Sequence, residues 1–272
     1  MSTNSNANPT AAAAAAVANN NTTARLTAVR LNQEGAMAFQ EGNFALAMRG
    51  FRSALQMIVA HQPPPGNNDP TLDHSHEDRK QLSSPDMHAY AAMGIQQLPM
   101  PTSSRCCSSR DDDAFVYIRP LIFNTAYLPD SQDGVAVFCA VAVFNMAVVF
   151  HRRSLLEDHG KEERSSRATA SHVQNHRTKA LSLYESAADL FSKVSNRFDL
   201  SGAMSAALNN RACLFHANRD FEESIQELQQ LQRLMQRAEH SMSTPAILET
   251  NDFQGILLNL LLLKPPALAE AA

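Results

Sequence analysis

His172 and His176 lie four residues apart, so on a helix both imidazoles share one face, where zinc ligands can stand. A helical metal-dependent hydrolase built on them would need an acid from elsewhere in the chain. No Glu follows the first His in the metalloprotease manner, and spacing alone offers no third ligand. The plainer reading is a pair of solvated histidines at a helix start. His74-Ser75-His76-Glu77 sits in polar, aperiodic sequence, which suits a loop better than a ligand cluster. Cys106 and Cys107 adjoin in a polar stretch, without the basic helix terminus that would lower a thiol pKa. Gly160-Lys161 lacks the upstream Gly and the following Ser or Thr of a phosphate-binding loop, and no Gly-x-Ser-x-Gly occurs. No catalytic constellation, cofactor, metal or small-molecule substrate is therefore expected, and the chain reads as a protein that is not an enzyme.

Composition narrows the class further. The 272 residues suffice for one or two domains. The net charge is −4 with no basic block, so nucleic-acid binding through phosphate neutralisation is not expected. Alanine, leucine and glutamine dominate the patterned stretches, which favours helix. The cysteines at 106, 107, 139 and 213 form neither a disulfide framework nor a zinc spacing, and suit a reducing compartment. The expected location is the cytoplasm, with the nucleus left open.

The patterned stretches alternate with unpatterned ones. Residues 1–24 are Asn, Ala, Thr and Ser around an alanine run from Ala11 to Ala16, and read as a disordered tail; an organelle transit peptide is the rival reading. Residues 25–61 read as two helices around a Gly42-Asn43 turn. Leu31 and Ala38 recur at helical spacing before the turn, and Phe44, Ala47, Phe51, Ala54, Leu55 and Ile58 after it. Gly35, Ala38, Ala47 and Ala54 are small where two helices would cross. His61-Gln62-Pro63-Pro64-Pro65-Gly66 ends the pair. Residues 62–113 are rich in Pro, Ser, His and Asp and read as a disordered insertion, with a short helix open over Asp86 to Ile95. Residues 114–134 begin with β-branched and aromatic residues, an extended or irregular segment that Pro120 confines to an edge.

Val135 to Leu156 is the most apolar stretch. Its uninterrupted part falls short of the ~18–20 residues a bilayer needs and contains Asn145, so a buried helix is expected and no membrane span. Residues 157–171 read as a second insertion. Arg177 to Val194 is amphipathic, with Ala180, Leu183, Tyr184, Ala187, Ala188 and Phe191 on one face. Residues 201–240 form another pair around Asn218-Arg219-Asp220, and 244–264 a capping helix closed by Pro265-Pro266.

A helix pair as short as 25–61 cannot bury its apolar face alone, so it must stack on further pairs. It resembles the tetratricopeptide repeat, a unit of about 34 residues: Gly35, Gly42, Phe44, Ala47, Phe51, Ala54 and Leu55 stand where that family wants them, while Ala38 replaces a large aromatic. A second copy resembles it in two parts. Asn145, Met146, Ala147 and Phe150 match its first helix, and Ala180, Tyr184, Ala187 and Ala188 its second. The third copy has Asn209, Asn210, Ala212, Phe215 and Phe221, with Ser224, Leu228 and Leu231 replacing the usual small and aromatic residues.

The resemblance implies an all-α fold, a short α-α superhelix, with disordered insertions. It implies a non-enzymatic scaffold or adaptor whose concave groove takes a peptide or partner helix. Asn145 and Asn210 fall at the same place on the groove-lining helices, where asparagines of this family contact a peptide backbone; the rival reading is a local bridge to a neighbouring helix. Asn32, Asn209, His151 and His216 fall near them by the same register. The carboxylate clamp that some members use for chaperone tails is not matched, since Val29, Asn32, Ala36 and Ala206 stand where mostly Lys and Asn would be wanted. A structural subunit of a stable complex is the remaining alternative.

Overall fold

The computed structural model describes residues 9–61, 95–97, 114–123, 131–159, 167–194, 200–240 and 250–263. Seven helices stand among them: α1 (Pro9–Gln40), α2 (Phe44–Ala60), α3 (Gln132–His159), α4 (Arg167–Val194), α5 (Ser201–Asn218), α6 (Phe221–His240) and α7 (Thr250–Leu262). A small antiparallel pair, β1 (Ile95–Gln97) and β2 (Leu121–Phe123), sets Ile95 opposite Phe123 and Gln97 opposite Leu121. The fold is all-α.

The α1–α2 turn follows from two residues. Gly42 takes the left-handed conformation (φ 78°), which costs glycine little, and the Asn43 N–H reaches back to Ala38 O at 2.8 Å. Asn43 then caps α2 by accepting from the Leu46 N–H at 3.1 Å. The α5–α6 turn has the same shape, but Arg219 occupies the left-handed position (φ 69°). α1 and α2 also come close together at Gly50, a small residue beside those expected at the crossing. A Cβ on Gly50 would stand 2.8 Å from Gly35 Cα, and one on Gly35 would stand 2.9 Å from the Phe51 ring. Ala47 is fully buried beside them.

Packing runs chiefly between helices adjacent in the chain: α1 on α2, α2 on α3, α3 on α4, α4 on α5, and α5 on α6 and α7. α3 is long and apolar enough to cross a bilayer, and 83% of its most apolar window is buried against the other elements. One core joins α1 through α5, built on Phe51, Phe138, Phe144, Tyr184 and Phe191. A smaller one joins the other face of α5 to α6 and α7 through Leu208, Leu228, Leu231 and Ile256.

Several boundaries are corrected. α1 begins at Pro9, inside the stretch read as a tail, because alanine has the highest helix propensity and prolongs the amphipathic helix backwards. Residues 157–159 and 167–171 of the expected second insertion are helical, since α3 runs to His159 and α4 starts at Arg167. Ile95 belongs to a strand rather than the end of a helix; α7 is described from Thr250, and Pro245, its expected start, lies outside the described residues. The rest of the 62–113 insertion, with His74, His76, Cys106 and Cys107, lies outside the described residues, as do residues 1–8, Gly160-Lys161 and Pro265-Pro266.

Candidate functional site

Residues 114–123 lie along the asparagines of the first-in-pair helices. Asn145, in the middle of apolar α3, accepts from Leu121 N–H at 2.8 Å and donates to Leu121 O at 2.8 Å. Asn210, on α5, does the same for Tyr117, at 2.8 and 2.7 Å. Asn259, on α7, does the same for Phe115, at 2.8 and 2.6 Å. Each side-chain amide thus stands where a neighbouring strand would, satisfying both main-chain groups of one residue.

The flanking polar residues extend the pattern. Asn32 donates to Leu121 O at 3.1 Å and accepts from Asn145, and Gln33 donates to Phe123 O at 3.1 Å. Asn209 donates to Phe115 O at 3.0 Å and accepts from Asn259 at 2.7 Å. Residues 115, 117, 121 and 123 are all odd, so in an extended chain they turn the same edge toward the helices. The segment runs against helix order, from α7 at Phe115 to α1 at Phe123.

These asparagines are buried, and a buried amide is costly unless its hydrogen bonds are made. Here the partner is main chain, which demands no particular side chain. The side chains of the segment are gripped separately. Tyr117 and Leu121 are fully buried; Tyr117 packs on Phe144 (centroids 6.0 Å apart) and Phe123 stacks on Phe138 at 5.0 Å. A Cβ on Gly255 would fall 2.4 Å from the Phe115 ring, so the missing side chain on α7 is the seat of Phe115. Arg119 reaches Asp252 of α7 at 3.6 Å.

Further polar groups stand behind Asn210. Its amide also donates to the Tyr184 hydroxyl at 2.8 Å, and that oxygen lies 3.4 Å from His151 Nδ1. Burial pushes the Tyr184 phenol well above its usual range, with the Asn210 bond pulling the other way. Burial, aided by the Arg177 charge, pulls His151 down to about 3, so it stays neutral and faces Tyr184 as an acceptor. Burial likewise pushes the Cys213 thiol, beside Asn259, up to about 12.

Of the residues expected to line a groove, Asn32, Asn145, Asn209 and Asn210 are thus brought together. Two are not. His151 stands behind Asn210, its Nδ1 3.4 Å from the Tyr184 hydroxyl, and His216 is exposed, its ring 5.2 Å from Phe221 on the far side of the α5–α6 turn. Both corrections follow from helix geometry, since a six-residue step moves a side chain far around the helix from its asparagine. Asn259 and Gln33 were missed. The signal for Asn259 was a single amide within the apolar run Ile256–Leu263, the same anomaly that marked Asn145.

The histidine pair acquires a neighbour. Glu157, near the end of α3, comes within 3.2 Å of His176 Nδ1 through its Oε2, and donor atoms of Glu157, His172 and His176 all lie within 4.8 Å of one another. His176 is buried, Glu157 half-buried and His172 exposed. Burial lowers the His176 pKa, with Glu157 opposing.

Comparison of the chain with protein-family models, with curated proteins and with solved structures finds no match in any of the three.

Proposed function

We propose that this chain is a non-enzymatic interaction module of the tetratricopeptide type, which recognises an extended segment of a protein partner by its main chain. The observation that carries the reading is the clamp by Asn145, Asn210 and Asn259, each taking the N–H and C=O of one residue. Packing between successive helices is the second support. Main-chain bonds supply affinity without regard to sequence, and the pockets filled by Tyr117, Leu121 and Phe123 supply the choice of side chains. The partner segment is then one with apolar or aromatic residues at alternate positions.

In this reading residues 114–123 act as a tethered stand-in for the partner. A tethered occupant competes at high effective concentration, so the partner binds well only when the stand-in is weakened. The test uses a labelled peptide of residues 114–123. A Tyr117→Ala chain should bind it saturably, and the unaltered chain at least about tenfold more weakly. Adding Asn145→Ala to Tyr117→Ala should abolish binding. Peptide binding that ignores Asn145, or no binding by the folded Tyr117→Ala chain, would rule the reading out.

A further inference from the structure

We propose that Glu157, His172 and His176 bind one divalent transition-metal ion of the zinc class, fastening the end of α3 to the start of α4. The two histidines sit one helical turn apart on α4, with ring centroids 5.9 Å apart, and the carboxylate comes to them from a different helix. Two imidazoles and a carboxylate with room for solvent suit zinc, and disfavour calcium or magnesium, which prefer all-oxygen sets.

The distances allow it. Zinc bonds to N and O at about 2.0–2.2 Å place neighbouring donors about 3.3–3.5 Å apart. The His176 Nδ1 to Glu157 Oε2 separation of 3.2 Å is already of that size. The wider separations, up to 4.8 Å, close by movement of His172, whose side chain is exposed. In binding, the ion takes the Nδ1 lone pair of the neutral His176 ring in the tautomer whose single proton is on Nε2; a ring whose proton starts on Nδ1 first exchanges it through solvent to Nε2.

The surroundings hold the set in place. His176 is fixed by packing on Phe150, centroids 5.7 Å apart. Arg153 lies 3.8 Å from the other carboxylate oxygen, Oε1, and leaves Oε2 to face the histidines. The nearby Arg177 is occupied by Asp158 at 2.6 Å and by Ala217 O at 3.3 Å, so its charge is partly neutralised. The ion would thus bridge the two helices across residues 160–166. This inference is independent of the groove reading, because Glu157, His172 and His176 are not among the asparagines that hold the 114–123 segment.

The test is zinc titration of the untagged, chelator-stripped full chain, competed against a chromophoric chelator. One ion per chain is expected. His172→Ala should weaken binding by at least about tenfold, as loss of a direct ligand must, and Glu157→Gln should do the same by removing the charge. Because His172 is exposed, its removal leaves the fold intact even where His176→Ala does not. Cobalt(II) should give a ligand-field spectrum without thiolate charge-transfer absorption, and Cys106→Ser with Cys107→Ser should leave both results unchanged. Zinc held equally well by the His172→Ala chain, or cobalt bound through thiolate, would overturn the proposal.

Discussion

Asn145 satisfies both main-chain groups of Leu121 at 2.8 Å while its own amide also donates to Asn32 Oδ1 at 3.1 Å. The side chain therefore answers for three buried partners at once. Asn145→Ala leaves the Leu121 N–H without an acceptor in an apolar setting, at about 1–3 kcal/mol for an orphaned group. Asn145→Asp keeps the size and the acceptor but removes both N–H donors, so it should be no better than alanine. Urea denaturation of the two variants checks this; an aspartate as stable as asparagine would show that the donors contribute nothing.

Gly255→Ala separates a seated segment from an ordinary helix. In a free helix this change stabilises by about 0.8–1.0 kcal/mol. Here the added Cβ would meet the Phe115 ring 2.4 Å away. The expected result is a lower melting temperature, with raised hydrogen exchange at Phe115 and Tyr117. A rise in melting temperature would mean that Phe115 does not occupy α7.

Acid should loosen the chain through His151. Its pKa lies near 3 in the folded protein against an ordinary value of 6.5, so the unfolded chain binds the extra proton first. The stabilisation is complete above pH 6.5 and is lost progressively as pH falls toward 3, at up to about 1.4 kcal/mol per pH unit. The charged neighbour that contributes is Arg177, and Tyr184 is the polar group in contact. His151→Gln should flatten the dependence between pH 6.5 and 5 relative to the unaltered chain, measured by denaturation at each pH. Parallel slopes would exclude His151 as the titrating group.

Ala47→Leu tests the first helix pair. Ala47 is fully buried at the crossing, while Ala45 is exposed. Overpacking at Ala47 should cost about 1–3 kcal/mol, and Ala45→Leu should cost little. Since packing runs mainly between neighbours, hydrogen exchange should rise over residues 30–60 and stay low in α6. A uniform rise along the chain would point instead to one undivided core.

What was legible in the sequence was whatever depends on local spacing. Phe44, Phe51 and Ala54 announced α2, and the isolated amides Asn145 and Asn210 in apolar helices announced groups with something to bind. The occupant was not legible, because the extended character of residues 114–123 says nothing of helices that close on it from both sides in sequence. Glu157 was not legible as a neighbour of His176 for the same reason: it lies 19 residues away on another helix, in a stretch whose charge suggested a loop. His151 and His216 were assigned to the asparagine face by nearness in sequence, and helix rotation carries them off it. The alanine run at 11–16 was read by its low complexity, when its helix propensity was the stronger property.

The reversed run of the 114–123 segment has a consequence for biosynthesis. Phe115 and its last clamp, Asn259, are 144 residues apart. At about 5–20 residues per second, the segment emerges about 7–30 s before that asparagine does. For that interval Phe115 is offered to any sheet edge or chaperone nearby, whereas the asparagines that hold Leu121 and Tyr117 follow them after 24 and 93 residues, and the Phe115 pairing closes last because long-range contacts are slow to form. Nascent chains arrested short of Asn259 should be cut by protease near Phe115, and chains released after residue 263 should resist it.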